Sequence, residues 1–313
     1  MDLSIAIPIY NEAENLKVLY DRLASVLPGM ALDYEIIFVN DGSTDNSLDV
    51  IKDLAGKDAH VKYINFSRNF GHQIAIYAGM THARGEAVIT MDGDLQDPPE
   101  VIVGLYSMYS DEAHDVVYAK RKKRKGVSVI KRICYKLFYR MLARITSVDI
   151  PLDVGDFRVV NKKVINLLRN MSEQEKFLRG QIAWMGLKSG YLEYERDARE
   201  HGDPGYTYQK LFKLAMDGIT SFSTFPLKVA SITGFIVSSL AFIAAVRALY
   251  IKLFTDNPLP PGFTSIIIIV LFLGGIQLIS IGIIGEYLSR MNNNIKNRPT
   301  YIVEGTNIDS GES

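Results

Sequence analysis

The chain has 313 residues, with 35 Lys plus Arg against 35 Asp plus Glu, so its formal net charge is zero. That balance argues against a general nucleic-acid binder, which carries a basic excess. A single cysteine, Cys134, excludes an internal disulfide framework.

The first apolar run, Leu3 to Tyr10, predicts a buried strand. Met1-Asp2 leads straight into it with no basic segment, so the start does not read as a signal peptide. Asn11 is placed to cap a helix carrying Leu16, Leu19, Leu23 and Val26 at helical spacing, with Glu14 completing a capping box. Tyr34 to Asp41 predicts a second strand, and Ser43 the start of another helix. Val61 to Phe66 predicts a third strand, followed by a helix to Arg84 that Gly85 would stop. Within it, His72 and His82 read as ordinary polar helix residues rather than ligands. Glu86 to Met91 predicts a fourth strand, Pro98-Pro99 the first turn of a helix, and Asp115 to Ala119 a fifth strand.

Between Lys120 and Arg144 there are eleven Lys or Arg and no acid. Over 120–147, Ile130, Ile133, Leu137, Phe138, Met141 and Leu142 recur at helical spacing among the cations, which suits a helix lying on an anionic membrane surface. A second amphipathic stretch, 205–225, carries Tyr208, Leu211, Phe212, Ala215, Ile219 and Phe222. Uncharged runs then extend from Val229 to Val246 and from Asn257 to Gly285, against a requirement of about 20 apolar residues for a membrane-spanning helix. A pair of buried core helices is the other reading of these runs.

The Pro-rich link Thr255 to Gly262 would make the two helices a hairpin. Lys228, Arg290, Lys296 and Arg298 flank the hairpin and its link carries no cation, which puts both termini in the cytosol. Arg247 and Lys252, at the outer end of the first helix, pull the other way. The expected organisation is a cytosolic domain over 1–204, an amphipathic segment over 205–225, transmembrane helices over 226–290 and a cytosolic tail over 291–313.

Strands alternating with helices through short links predict an α/β domain with a mostly parallel sheet. Ligands bind at the carboxyl ends of such strands. Those ends carry Tyr10-Asn11-Glu12, Asp41-Gly42-Ser43 and Asp92-Gly93-Asp94. Neither G-x-G-x-x-G nor G-x-x-x-x-G-K-[ST] occurs, so no dinucleotide fingerprint or P-loop is present. Asp92 and Asp94 form the only Asp-x-Asp of the chain. Two carboxylates after a buried strand cost desolvation energy unless a cation compensates them. Hard oxygen donors with open positions suit Mg²⁺ or Mn²⁺ bridged to phosphates, with Gln96 and Asp97 as nearby donors. On spacing alone the same residues also read as a solvated turn capping the next helix. Asp41 can accept hydrogen bonds from a base or ribose, or cap a helix with Ser43.

The segments Ala6 to Glu12, Val39 to Ser43, Asn69 to Gln73 and Met91 to Glu100 together resemble family 2 glycosyltransferases of the GT-A fold. They are most similar to the polyprenyl-phosphate group, which includes bactoprenol glucosyltransferases and dolichol-phosphate mannose synthases. The resemblance covers nearly the whole chain, hairpin included. It implies that Pro8, Tyr10, Glu12, Asp41 and Asp92 bind the nucleotide. By the same resemblance Asp92, Asp94 and Gln96 hold the metal and diphosphate, while Arg121, Lys131, Tyr135 and Arg199 meet the lipid phosphate. Lys131 and Tyr135 stand where the mannose synthases show Arg and Ser. Val154 to Arg158 resembles the family's G-x-F-R region, which makes Asp156 a candidate for orienting acceptor or donor, or a structural partner of Arg158.

The expected activity is transfer of a hexose, glucose from UDP-glucose, to undecaprenyl phosphate or a similar polyprenyl phosphate at a bacterial-type inner membrane. Asp94 and Asp156 would carry the chemistry, with inversion. GDP-mannose or UDP-N-acetylglucosamine are alternative donors, and a non-catalytic membrane scaffold that senses a nucleotide sugar is a reading from another class. A processive polysaccharide synthase is disfavoured, since no Q-x-x-R-W occurs. Gly274-Gly275 offers a helix face through which copies could associate as a homo-oligomer.

Overall fold

The computed structural model describes residues 1–122, 151, 154–195, 225–254, 262–296 and 298–308. In chain order these give β1 (Leu3–Ile9), α1 (Ala13–Val26), a 3₁₀ turn (Leu27–Met30), β2 (Tyr34–Asn40), α2 (Ser47–Lys57), β3 (Val61–Phe66) and α3 (His72–His82). Then follow β4 (Ala87–Thr90), α4 (Val101–Glu112), β5 (Val116–Arg121), β6 (Val154–Asn161), α5 (Lys162–Arg169), α6 (Leu178–Trp184) and β7 (Ser189–Tyr194). The chain continues through α7 (Phe225–Phe254) and α8 (Phe263–Ile295) to β8 (Val303–Thr306).

The strands form one sheet in the order β7-β5-β6-β4-β1-β2-β3-β8. β4, β1, β2 and β3 run parallel, as do β5 and β7, while β6 and β8 run antiparallel to their neighbours. This is the mostly parallel α/β sheet that the alternation predicts. The two-residue period of a strand explains why both faces are covered. Ile5, Ile7, Ile36, Phe38 and Ile89 point into a core with Leu16, Leu19 and Leu23 of α1, Ile51 of α2 and Ile102 of α4. Their neighbours Ala6 and Val88 pack with Ile76 and Met80 of α3 and Val164 of α5 on the opposite face, and Ile37 and Val39 with Ala75 and Ala78 of α3. β1 has β2 on one side and β4 on the other, so the sheet reverses direction of growth at β1/β4. Crevices for ligands open at such switch points.

Several local expectations change. Asn11 has a left-handed backbone, with φ 57°, and does not cap α1, which begins at Ala13. The leading N–H groups are accepted instead by the loop after β2: Asn11 N by Ser43 Oγ (3.0 Å), Glu12 N by Ser47 Oγ (3.0 Å) and Ala13 N by Asp45 Oδ2 (3.1 Å). Because Ser43 is used in this way, α2 starts at Ser47 rather than at Ser43. α3 ends at His82 before an extended Ala83, so Gly85 is not its C-cap. A Cβ on Gly85 would lie 2.7 Å from Ser4 N and 2.8 Å from Ala87 O, so glycine serves close approach to the sheet. The expected tail is not featureless: β8 pairs with β3 at the sheet edge.

α7 and α8 belong to a second compact unit and contact each other. Among the described residues, Phe272–Ile295 is the stretch long and apolar enough to cross a membrane, with a shorter apolar stretch over Leu227–Val237. Phe235, Phe242 and Leu278 are at least 70% exposed. The basic segment over 123–147, with Lys131 and Tyr135, lies outside the described residues, as do Arg199, the amphipathic stretch over 205–224 and the link over 255–261.

Gly85→Ala should destabilise the domain by about 1–3 kcal/mol, because every neighbour of the added methyl is backbone that cannot swing away. Thermal unfolding of the variant beside the parent measures the loss; an unchanged midpoint would mean that the edge of β4 relaxes freely.

Candidate active site

The expected residues lie in or just past the carboxyl ends of β1, β2 and β4, which are neighbours in the sheet. Pro8 is buried within β1, and Tyr10 follows it with an exposed ring. Glu12 Oε2 accepts from Asn15 Nδ2 at 2.5 Å. Asp41 is buried at the end of β2, where its carboxylate accepts from Phe70 N (2.7 Å) and Gly71 N (3.0 Å). Burial raises its pKa, while these two N–H donors pull it back. Asp41 thus ties the end of β2 to the loop before α3.

Beyond β4, the side chains of Asp92, Asp94 and Gln96 are all partly exposed, and Gln96 N donates to Asp94 Oδ1 at 3.2 Å. Asp97 differs. It is fully buried and accepts from the Tyr194 hydroxyl at 2.5 Å, so it faces the protein rather than solvent. No three His, Cys, Asp or Glu side chains converge as a metal cage among the described residues. The donors at Asp92, Asp94 and Gln96 are hard oxygens in an incomplete set, which fits Mg²⁺ or Mn²⁺ whose remaining positions are filled by phosphate and water.

Asp156 reaches the same place from β6. β4 and β6 are antiparallel neighbours with Thr90 opposite Arg158, and Thr90 Oγ1 donates to the Asp156 carbonyl at 2.5 Å. The Asp156 carboxylate pairs with Arg158 through Oδ1 and accepts from Gln73 Nε2 (2.9 Å) through Oδ2. His72 Nε2 stands between it and the turn after β4, 3.4 Å from Asp156 Oδ2 and 3.3 Å from Asp92 Oδ1. Burial alone would raise the pKa of Asp156. The His72 hydrogen bond and the Arg158 and Arg179 charges outweigh it and hold the carboxyl far below the usual range. Burial likewise opposes charge on His72, but Asp156 and Asp92 raise its pKa well above the ordinary imidazole value. His72 is therefore a site cation and not an ordinary helix residue.

Arg121, at the end of β5, lies on the same side of the sheet. Its Nη2 sits 2.7 Å from where a Cβ on residue 155 would stand, and its Nε donates to Tyr194 Oη at 3.4 Å. The negative charges of Asp97 and Asp92 favour its charged form against burial. Sequence reading missed the roles of His72, Gln73, Arg179 and Tyr194. His72 and Gln73 sit in a flagged motif, whereas no local pattern marks Tyr194 or Arg179.

Residues 4–168 match the protein family described as Glycosyl transferase family 2. The chain is 45% identical to the uncharacterized glycosyltransferase YkcC of Bacillus subtilis (strain 168), over 96% of this chain and 93% of that one. It is 39% identical to the SfII prophage-derived bactoprenol glucosyl transferase of Shigella flexneri, over 97% and 98% of the two chains. With the prophage bactoprenol glucosyl transferase homolog of Escherichia coli (strain K12) it shares 38% identity, over 97% and 99%.

Asp156→Asn should cost roughly 3 kcal/mol at neutral pH, since it leaves the fully buried Arg158 without its counter-charge. The lowered pKa of Asp156 fixes the pH dependence. Its contribution is whole above the unfolded carboxylate value of about 4 and fades as pH falls through the folded value. Denaturant unfolding of both proteins across acid pH should show the gap between them narrowing; a gap independent of pH would contradict the ion pair.

Proposed function

This chain belongs to glycosyl transferase family 2 and is a glycosyltransferase, and from that premise we propose that it transfers glucose from UDP-glucose to a polyprenyl phosphate such as undecaprenyl phosphate. The observation that carries this reading is the partly exposed carboxylate pair Asp92/Asp94 at the β1/β4 switch point, with the guanidinium of Arg121 on the same side of the sheet. Relatives named as bactoprenol glucosyl transferases support the acceptor class.

In this reading Pro8, Tyr10, Glu12 and Asp41 hold the base and ribose of the donor. Asp92, Asp94 and Gln96 face its diphosphate together with Mg²⁺ or Mn²⁺, which supplies charge stabilisation to the departing nucleotide. Arg121 receives the acceptor phosphate, helped by Lys131, Tyr135 and Arg199. A phosphate monoester, with a second pKa of roughly 6, is already ionised at neutral pH. Its oxygen can attack the anomeric carbon in line, with inversion, without a general base. Asp156 then serves as a fixed anion that orients His72 and Gln73.

The membrane reading adds a place for the acceptor. α8 contains the apolar Phe272–Ile295 stretch, and α7 displays large exposed apolar side chains such as Phe235 and Phe242. We read the two helices as a hairpin in the inner membrane with the catalytic domain and both termini cytosolic, so that a polyprenyl tail stays in lipid while its phosphate reaches the site. Gly274 and Gly275 leave open space along α8 for packing against a second copy.

Asp94→Ala should abolish turnover, by more than about 100-fold, with an unchanged unfolding midpoint. The assay is transfer from a panel of labelled nucleotide sugars to polyprenyl phosphate, with and without EDTA; a near-normal rate in the variant or in EDTA would remove the metal from the scheme. Arg121→Ala should raise the KM for polyprenyl phosphate roughly ten- to a hundredfold and leave that of the donor nearly unchanged, as expected for loss of one charge-assisted phosphate contact of about 1.5–3 kcal/mol. Equal effects on both substrates would move Arg121 away from the acceptor.

A further inference from the structure

The segment after α8 is bound to the edge of the sheet that leads into the active site. β8 pairs antiparallel with β3 through Ile64/Thr306, Asn65/Gly305 and Phe66/Val303. Asn307 Oδ1 accepts from Tyr63 N at 2.7 Å, Asn307 Nδ2 donates to Val61 O at 3.1 Å, and Glu304 Oε2 accepts from Asn65 Nδ2 at 3.0 Å. One more contact reaches past β3: Ser67 N donates to Ile302 O at 3.1 Å. Ser67 opens the loop that ends at Gly71, whose amide is held by Asp41 and which delivers His72 to Asp92 and Asp156.

Tyr301 touches the residue before that loop and the far end of the helix after it. Its ring stacks on Phe66 at 4.9 Å, and Phe66 in turn meets Phe70 edge-on at 5.6 Å. Its hydroxyl lies 3.3 Å from His82 Nδ1 in the last turn of α3. The loop thus starts and finishes on elements that Tyr301 braces, while Phe70 N is fixed to Asp41 from the other side. A loop between two such supports loses little further entropy when a ligand orders it.

We propose that residues 301–306 form a positioning strap for the donor half of the active site, with Tyr301 as the residue that transmits the order of β8 to the 67–71 loop. The inference rests on the reading that Asp41 and the 67–71 loop border the donor nucleotide. Tyr301 touches no reacting group and acts through Phe66, Phe70 and the first residues of α3. By linkage, a ligand that the strap helps to bind must tighten the strap in return.

The test uses the full chain in detergent with UDP and Mn²⁺ as the probe. Tyr301→Ala should weaken UDP binding roughly three- to tenfold, the loss expected when an aromatic pair disappears, and raise the donor KM in step. Tyr301→Phe keeps the stack on Phe66 but loses the hydroxyl contact with His82, and should recover most of both, while the KM for polyprenyl phosphate stays at the parent value in either variant. Hydrogen exchange on the unmutated chain gives a readout that needs no variant: UDP should slow exchange at 301–306 as well as at 67–71. UDP bound equally by the parent and Tyr301→Ala, or equal losses for donor and acceptor, would overturn the strap alone. Protection confined to 67–71 would do the same. Failure of the parent to bind UDP would sink the donor reading and the strap with it.

Discussion

Carboxylates gathered at one edge of a buried, mostly parallel sheet are the constraint around which this candidate site is organised. Asp156 keeps its charge despite burial because Arg158, His72, Gln73 and Arg179 surround it. Arg158 is fully buried, and a guanidinium can be so only while an anion stays beside it. Neutralising Asp156 would leave Arg158 buried without its counter-charge, so the carboxylate is held ionised beside it. A rigid pair of this kind is a poor source of stability but a good source of orientation, since the groups hydrogen-bonded to it have one arrangement. His72 inherits that arrangement and faces Asp92 Oδ1 at 3.3 Å.

Register explains how these residues meet. β4 and β6 are neighbours although α4 and β5 lie between them in the chain, and the Thr90/Arg158 pairing sets Asp156 beside the turn that follows β4. A slip of one residue would turn Asp156 to the other face of the sheet. α3 contributes from a third direction, its first residues being His72 and Gln73. Gln73 uses both ends of its amide, donating to Asp156 and accepting from Leu178 N, and so joins β6 to the start of α6.

Much of this was legible in the sequence where the signal was local. β1 to β5 are apolar runs bounded by polar residues, and the buried alternation of Ile5, Ala6 and Ile7 on two faces follows from strand geometry. The acidic strand ends were equally visible, because Asp41 and Asp92 stand one or two residues past buried runs. What failed was anything whose partner lies far away in sequence. Asn11 looked like a cap, yet the amides there are satisfied by Ser43, Asp45 and Ser47 from the next loop. β8 is four residues, Val-Glu-Gly-Thr, with no periodic signal, and exists as a strand through its pairing with β3. His72 reads as a polar residue on a helix, and only the fold sets it between two carboxylates.

The locked state of Asp156 bears on which acceptors the site can serve. A sugar hydroxyl is a weak nucleophile and needs a carboxylate or imidazole ready to take its proton near neutral pH. Asp156 is held far below that range by its partners, and the His72 pKa is raised so that its imidazole stays protonated, so neither is poised as a base. An acceptor that arrives already ionised removes the need. For such an acceptor the requirement shifts from proton removal to charge: its phosphate must be brought next to a diphosphate of the same sign. The cations His72, Arg158 and Arg179 around Asp156, and Arg121 held by Tyr194 and Asp97, offset that repulsion from fixed positions. Fixed cations beside Asp156 and Asp92 therefore suit a phosphate nucleophile on electrostatic grounds.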